Sequence, residues 1–455
     1  CDDKTADEPV WNGDNYVTAF SLTVGEAIYE AVVHDGRITV DVPYDASLDG
    51  AEVHYELCEH ASIHPDPATI RDWSQEWQFL VSSYGQSDRT YIYTVNRTDV
   101  ATGGSLTLRT QAEVDAFAAS RINVVEGNLT IGVEGGEAIV NLDGLAGLVS
   151  VRCDLTVTNA YRGEDLAGLA GLRRCESLRI GSAGAPHETL KRIELPALRE
   201  VAGDLQLCGA AVRAVAFAAL QRVDGAFAVG SDALAEIVAD ELEAVGGDMR
   251  LAGSTGNAAK APCEQMYFPK LQRVGGELSV VRFGRLGQLA TTFGALASVG
   301  SIAYEELALT SSCEFPLIET VGAVELTDCP ALRTISLPRL AAAGSFSVEG
   351  CPAVETVDLP LVERFEGDVR LASLSAVTDF GALLPRLTAI GGDLTLGLAC
   401  IQELLVALGK VVGLLLHVSI FIGDVSRLIE QLFSQLLVRS FFCHRISPAF
   451  LFRYS

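Results

Sequence analysis

A five-residue unit recurs twelve times between residues 127 and 396, and it limits the possible folds more than any other feature of the chain. Each unit runs glycine, polar, apolar, any residue, apolar, except that Cys153 and Glu176 replace the glycine in two copies and alanine replaces the polar residue in two others, at 226 and 323. Alternation with period two predicts a short strand with one buried face, and a glycine at a fixed place marks a turn or a close approach. The apolar pairs are Leu129/Ile131, Leu155/Val157, Leu178/Ile180, Leu205/Leu207, Phe227/Val229, Met249/Leu251, Leu278/Val280, Ile302/Tyr304, Val324/Leu326, Phe346/Val348, Val369/Leu371 and Leu394/Leu396.

Successive units lie 22 to 29 residues apart, a spacing typical of a β-solenoid. One coil cannot bury its own apolar face, so the coils above and below it must do so. A capping box, Thr110 followed by Glu113, predicts a short helix that covers the first end of the stack. Bends are predicted where proline interrupts the ladder, at Leu195-Pro196, Phe268-Pro269, Phe315-Pro316, Leu337-Pro338, Leu359-Pro360 and Leu384-Pro385.

The first hundred residues follow a different pattern. Short alternating segments are separated by turn residues such as Asp35-Gly36 and Asp49-Gly50, which predicts a β-sandwich over residues 13–97. Residues 1–12 are predicted to be a flexible tether, and residues 98–109, which include Thr102-Gly103-Gly104, a linker. The predicted strands are Tyr16–Val24, Ile28–His34, Arg37–Val42, Glu52–Leu57, Trp77–Ser82 and Thr90–Val95.

Both regions resemble known families. The stretches 61–67, 72–74, 79–81 and 91–95 resemble the Ig-like modules near the N-terminus of Bacteroidetes surface lipoproteins, which implies a spacer or stalk role. The Val-x-Gly-x-Leu-x-Ile strands, the Leu-Pro-x-Leu bends and residues 165–172 resemble the receptor L-domain of growth-factor receptors, fungal wall proteins and bacterial surface proteins. The implied fold is all-β: an Ig-like β-sandwich, then a right-handed leucine-rich β-solenoid of about twelve coils over residues 110–397, with a short N-capping helix.

The chain begins with Cys1, followed by an acidic run from Asp2 to Glu8. A cysteine at a processed N-terminus accepts diacylglycerol in bacterial lipoproteins, so we expect Cys1 to be lipidated and to anchor the protein to a membrane. The acidic run resembles the surface-export signal of Bacteroidetes lipoproteins, which implies the outer membrane and the cell surface. Two alternatives stay open: the boundary falls on a cysteine by chance, or Asp2 retains the protein at the inner membrane.

The charge balance argues against a nucleic-acid partner. The net charge is −26, with no cluster of lysine or arginine. Nucleic-acid binding needs a cationic face that displaces counterions from phosphates, and anionic lipid headgroups are disfavoured for the same reason. We interpret the acidity as a contribution to solubility.

One set of residues has the composition of a metal site. His54, Cys58, His60 and His64 are evenly spaced, and imidazole and thiolate bind zinc. A straight strand would hold His54 and His64 about 33 Å apart, so only a tight fold-back would bring them to one ion. We therefore favour solvated polar residues and expect neither a metal nor another cofactor.

No catalytic motif is found in the sequence, which lacks G-x-S-x-G, H-E-x-x-H and a P-loop. Carboxylates such as Asp248 and Glu277, at the polar position of successive units, could hold calcium. We favour hydrogen bonds from amides of the corner turns to these carboxylates. Cys329 and Cys351, one coil apart, are expected to stack as buried thiols without a disulfide. We therefore predict no catalytic residues.

Residues 398–455 depart from the repeat. They hold five Lys or Arg against three Asp or Glu, and six of the eighteen phenylalanines. An amphipathic hairpin that covers the solenoid is one interpretation. We favour a reading-frame slip that replaced further coils.

These patterns favour a non-enzymatic, lipid-anchored surface protein that binds or adheres to an extracellular protein or glycan. Its ligand would lie on a solenoid face or on an insert in the repeat, Gly181–Glu188, Ser254–Met266 or Leu307–Glu314. A carbohydrate-binding accessory of a glycan-uptake system is an alternative, although aromatic residues are only 7% and do not cluster. A hydrolytic enzyme is the third alternative and would need convergent acid and base groups.

Overall fold

A computed structural model describes residues 14–396 except 26, 45, 183, 255–259, 288, 290–291, 373 and 375–383. Cys1, the tether at 1–12 and the tail at 398–455 therefore lie outside the described residues. The chain divides into two compact units, with the boundary between Leu296 and Ala297. The protein is all-β, and a parallel β-solenoid contributes about twelve turns, counted over both units.

Residues 17–98 of the first unit form a seven-stranded sheet. Each predicted strand overlaps one of its strands because alternating side chains place one face of each strand in the core. The strands are β1 (Val17–Val24), β2 (Ala27–His34), β3 (Arg37–Pro43), β4 (Glu52–Leu57), β5 (Ser62–His64), β6 (Trp77–Ser82) and β7 (Asp88–Thr98). Their order is β4-β1-β2-β3-β7-β6-β5; β3 and β7 are parallel, and the other neighbours are antiparallel.

An aromatic core joins distant strands of this sheet. Trp73 is fully buried, with its ring centroid 5.0 Å from that of Tyr93 on β7 and 5.5 Å from that of Phe20 on β1. The Tyr93 hydroxyl donates a 2.9 Å hydrogen bond to the Trp73 carbonyl. Each aromatic pair adds about 0.5–1.5 kcal/mol beyond the apolar area it buries, so this cluster stabilises the module.

The segment predicted as a linker instead contains the first strand of the solenoid. Residues 104–108 read Gly-Ser-Leu-Thr-Leu, a further copy of the repeat unit that the linker prediction overlooked. Strand β8 (Leu106–Leu108) pairs in parallel with β10 (Leu129–Ile131). The residues Asp99 and Val100, which precede β8, are held by the buried Asn123. Its side-chain oxygen accepts from the Val100 amide at 2.7 Å, and its side-chain amide donates to the Asp99 carboxylate at 2.9 Å. The seven-stranded module is therefore joined to the first coil by a hydrogen-bonded connection.

A helix, α1 (Gln111–Ser120), follows β8 where the sequence predicts one. The Thr110 hydroxyl accepts from the Glu113 amide at 3.2 Å, and the Glu113 carboxylate accepts from the Arg109 amide. These bonds satisfy amides that a helix N-terminus leaves unpaired. Val114 and Phe117, three residues apart and so on one side of the helix, are both buried.

The coils of the first unit contribute to two parallel sheets. A long sheet runs from β10 to β23, and β13, β16, β19 and β22 form a second one. At a predicted bend, the Leu198 amide donates to the Leu195 carbonyl at 3.2 Å. The strands after β8 are β9 (Val124–Val125), β10 (Leu129–Ile131), β11 (Ser150–Val157), β12 (Arg174–Ile180), β13 (Arg192–Glu194), β14 (Glu200–Val201), β15 (Leu205–Cys208), β16 (Ala214–Ala216), β17 (Arg222–Val223), β18 (Phe227–Gly230), β19 (Glu236–Val238), β20 (Ala244–Val245), β21 (Met249–Ala252), β22 (Gln265–Tyr267) and β23 (Arg273–Val281).

The apolar residues of the repeat stack inside the coils. Leu205, Phe227 and Met249 are register partners on successive strands, and none of the three is exposed. The Phe227 ring lies edge-on to those of Phe217 and Phe268, with centroid distances of 6.3 and 6.1 Å. The predicted stacked interior is therefore confirmed, and each such side chain contributes roughly 1.5–3 kcal/mol through burial.

The second unit repeats this arrangement. Phe346 is a register partner of Val324 before it and of Val369 after it, and all three are buried. Its second sheet contains β25, β27 and β29. The strands are β24 (Ser298–Glu305), β25 (Ser312–Glu314), β26 (Thr320–Thr327), β27 (Thr334–Ser336), β28 (Ala342–Glu349), β29 (Thr356–Asp358), β30 (Arg364–Phe365), β31 (Val369–Leu371), β32 (Ala389–Ile390) and β33 (Leu394–Leu396).

Carboxylates at the polar position of the repeat link successive coils. Oδ1 of Asp248 accepts from the Glu277 amide at 2.9 Å, and Oδ1 of Asp368 accepts from the Asp393 amide at 2.8 Å. Asp204 makes the same bond to the coil that follows it. The sequence predicts bonds from corner amides, and the structure adds that the amide belongs to the equivalent residue of the next coil.

The glycine before such an amide is needed for close approach. A Cβ at Gly276 would lie 3.1 Å from the backbone nitrogen of Asp248 and would overlap its carboxylate. Gly392 has the same relation to Asp368. The glycine of one coil and the carboxylate of the preceding coil therefore pack against each other as a pair.

Replacing Asp248 with alanine is expected to lower the free energy of unfolding by about 1 kcal/mol, because the Glu277 amide loses its acceptor. Asp248→Asn keeps a side-chain oxygen and should lower it by less than about 0.5 kcal/mol. Urea unfolding at constant m-value measures both changes. Equal losses in the two variants would contradict the proposed role of the acceptor.

Candidate binding surface

A shallow groove of about 440 Å³ crosses the coils of the second unit. Gly300, Gly322 and Gly344, from β24, β26 and β28, form its floor. The remaining lining residues are Val299, Thr320, Val321, Ala342, Ala343 and Glu366.

The groove follows from how the strands pass the glycine position. Alternation turns Val321 and Ala343 into the core, where both are buried, and leaves Thr320 and Ala342 exposed. A Cβ at Gly344 would overlap the Gly322 carbonyl of the preceding coil, so the column consists of small residues. The floor therefore exposes backbone between two rows of side chains.

The rim of the groove carries mixed polar chemistry. Thr320 offers a hydroxyl, and the Glu366 carboxylate pairs with Arg364 at 3.7 Å. Both partners of this pair are more than half exposed, so the pair is screened and can exchange one partner for a ligand group. Hydroxyl, carboxylate and backbone groups suit an extended chain that carries hydrogen-bonding groups, such as a peptide or a glycan.

The long sheet of the first unit presents a second regular surface. The residues between the two apolar positions of the strands lie in register from coil to coil; they are partly or fully exposed except the last one, Ser279, which is buried. Arg179 in this row pairs with Asp154 at 3.6 Å. The row consists of Thr130, Thr156, Arg179, Gln206, Ala228, Arg250 and Ser279.

The three inserts predicted from the sequence differ in the burial of their residues. Gly181–Glu188 contains a fully buried histidine, His187, just before its last residue. Leu307–Glu314 contains a buried Cys313 and a half-exposed Leu309, and ends in β25. Ser254–Met266 includes residues 255–259, which lie outside the described residues.

The four potential zinc ligands of the sequence are not brought together. His54 lies on β4 and His64 on β5, the strands at opposite ends of the strand order. The Cys58 sulfur accepts from the Tyr16 amide at 3.1 Å, and His60 lies in a turn with positive φ. Among the residues that the structure describes, no three His, Cys, Asp or Glu side chains are grouped so as to hold a metal.

Cys329 and Cys351 form the predicted pair of buried thiols, and neither is in a disulfide. Their thiols donate to the Thr327 carbonyl at 3.4 Å and to the Glu349 carbonyl at 3.3 Å, and those two residues are register partners. The hydrogen bond to Cys351, together with burial, raises the pKa of the Cys329 thiol. A buried thiol whose pKa is raised in this way is a poor nucleophile.

We expect thiol reactivity to follow burial. Burial raises the pKa of Cys175 and of Cys263 to about 12, whereas Cys58 and Cys153 are partly exposed. N-ethylmaleimide at pH 8 should therefore modify Cys58 and Cys153 in the folded protein, and Cys175 and Cys263 only in urea. Peptide mass spectrometry identifies each modified site, and rapid modification of Cys175 in the folded state would contradict the described packing.

Sequence reasoning missed His187 as a residue of interest. Burial lowers its pKa to about 4, so the ring is neutral at physiological pH. A parallel β-bridge pairs His187 with Gly209 in the next coil, and a similar bridge pairs Ile139 with Tyr161. The histidine therefore belongs to a column of equivalent positions that face the interior of the coils. An alignment of these columns could have revealed it, but the insert before it shifts the spacing of the repeat.

Comparison with known proteins does not identify a family. The chain matches no protein-family model, and a search of curated proteins finds no match. Within residues 14–396, apart from the gaps given above, no helix is both long and apolar enough to span a membrane.

Proposed function

We propose that the protein is a non-enzymatic binding or adhesion scaffold, anchored to the outer membrane by lipid on Cys1 and exposed at the cell surface. In this proposal residues 17–98 act as an Ig-like spacer. Helix α1 closes the first end of a right-handed, receptor-L-domain-like solenoid, whose coils present the ligand site. The ligand is an extracellular protein or glycan.

The groove of the second unit is the observation that carries this proposal. Three successive coils place Gly300, Gly322 and Gly344 in one column, so backbone is accessible along a direction that crosses the coils. The coils beneath the groove are held by buried apolar side chains and by the parallel pairing of β24, β26 and β28, so the groove is preorganised. Preorganisation favours binding because less conformational entropy is lost when the ligand binds.

Screening the full chain on glycan and protein arrays tests the binding role. Thr320→Trp should fill the groove and weaken binding at least tenfold, because Thr320 is exposed at its rim. Thr334→Trp, on β27 in the second sheet of the same unit, is the matched control and should change affinity less than twofold. Equal effects of the two variants, or no ligand on either array, would reject the groove as the binding site.

The anchor needs a separate test. Metabolic labelling with an alkyne fatty acid in the source organism should mark the protein, and Cys1→Ser should remove the label and release the protein from membranes. Persistence of the label in Cys1→Ser would refute lipidation at this residue. Protease treatment of intact cells then distinguishes surface exposure from retention at the inner membrane.

A further inference from the structure

His187 is a fully buried imidazole whose hydrogen bonding is incomplete. Its Nδ1 accepts from the Leu190 amide at 3.4 Å, which assigns the ring proton to Nε2. Within the described residues Nε2 has no hydrogen-bond partner. The Tyr161 ring lies beside it, with the centroids 6.0 Å apart.

The residues on both sides of His187 are held by one side chain. The Asn159 amide donates to the Pro186 carbonyl at 3.2 Å, and its oxygen accepts from the Glu188 amide at 3.1 Å. The His187 amide also donates to the Cys208 carbonyl at 2.7 Å. Residues 186–190, which we call the His187 segment, are thus anchored to the coil before them and to the coil after them.

We propose that the His187 segment is an acid-released anchor, in which protonation of the buried imidazole detaches residues 186–190 from the neighbouring coils. A second ring proton would have to bind Nδ1, which could then no longer accept the hydrogen bond from the Leu190 amide. The Leu190 amide would instead face an N–H group. The charged ring would also remain in a fully buried position, away from water. Opening the segment to water removes both penalties. The inference goes beyond the binding role and holds whatever the ligand is.

The charges around the ring set the pH range of this release. Burial is the main cause that lowers the pKa of His187 to about 4. The Thr158 carbonyl and Glu188 raise the pKa of His187, whereas Arg162, which pairs with Glu188 at 2.5 Å, lowers it further. Two other titratable groups near the segment, the Tyr161 hydroxyl and the Cys208 thiol, have raised pKa values and stay neutral in this range, and the adjacent Lys191 is paired with Glu164.

The direction of the pH effect follows from the lowered pKa. The open segment, with an ordinary pKa near 6.5, binds a proton more readily than the closed one. The closed state is therefore fully favoured above about pH 6.5 and is lost progressively as the pH falls toward 4. At pH 5 the equilibrium for opening should be about thirtyfold more favourable than at pH 8.

Hydrogen–deuterium exchange of the full chain, corrected for intrinsic rates, tests this anchor. Protection of the His187 and Glu188 amides should fall about thirtyfold between pH 8 and pH 5, while residues 227–238 serve as the internal reference. His187→Leu should retain protection with no pH dependence, and His187→Gln is the second variant if the first does not fold. Asn159→Ala should lose protection at both pH values. His54→Leu, at an exposed histidine, should behave like the wild type.

Either of two results would overturn the proposal. One is a wild-type profile that is flat between pH 5 and 8, or a fall that residues 227–238 share equally. The other is pH dependence that persists in His187→Leu or His187→Gln. The wild-type profile alone decides if neither variant folds.

Discussion

Phe227→Ala is expected to lower the free energy of unfolding of the first unit by about 3–5 kcal/mol, the range for large-to-small changes at fully buried aromatic residues. Phe227 is unexposed and lies between Leu205 and Met249 in the stack. It also contacts Phe217 and Phe268 edge-on, so truncation removes contacts on several sides. Urea unfolding, with exchange protection of β15 and β21 as a local readout, measures the loss.

Tyr267→Ala provides a matched control, because this aromatic residue of the same unit is half exposed on β22. It should change the free energy of unfolding by less than about 1 kcal/mol. Since stability in stacked repeats is a sum over neighbours, the damage from Phe227→Ala should be greatest in the two adjacent coils. Comparable losses in the two variants would contradict a shared interior.

Gly276→Ala should destabilise the first unit by about 2–3 kcal/mol through overpacking, although it adds a single methyl group. The new Cβ would meet the backbone nitrogen of Asp248 as well as its carboxylate, so a side-chain rotation alone cannot relieve the clash. Gly147→Ala is the control, because no atom lies within 4 Å of its added Cβ. That variant should fall within about 0.5 kcal/mol of wild type in the same urea assay.

The double variant Gly276→Ala with Asp248→Ala separates crowding by the carboxylate from crowding by the backbone. Its destabilisation should be smaller than the sum of the two single effects, because removing the carboxylate makes room for the methyl group. Strict additivity would show that the glycine and the carboxylate act independently.

The stacking of the coils could be predicted because it rests on local alternation. The register of Leu205, Phe227 and Met249 follows from their regular spacing of 22 residues. The linker prediction for residues 98–109 is wrong at the start of the solenoid, because Gly104 has the appearance of a linker residue although the residues after it complete the repeat unit. A glycine in a loose segment and a glycine at a tightly packed corner look alike in sequence.

Features that depend on neighbouring coils were harder to predict. The amide that pairs with Asp248 belongs to Glu277, 29 residues later, and local turn chemistry gives no means of choosing it. The groove exists because three glycines align across strands, which requires knowledge of the register. His187 was hidden because its insert disturbs the spacing, and its burial depends on Asn159 from the preceding coil.

The bonds from the amide of one coil to the carboxylate of the coil before it also bear on how such a chain can gain coils during evolution. The Asp204 carboxylate accepts from the Ala226 amide, 22 residues later. A tandem duplication of residues 204–225 would place the amide of the copied Asp204 where the Ala226 amide now lies, so the Asp204 carboxylate would keep its donor. Unequal recombination within the gene could therefore add a whole coil at this position without any compensating substitution.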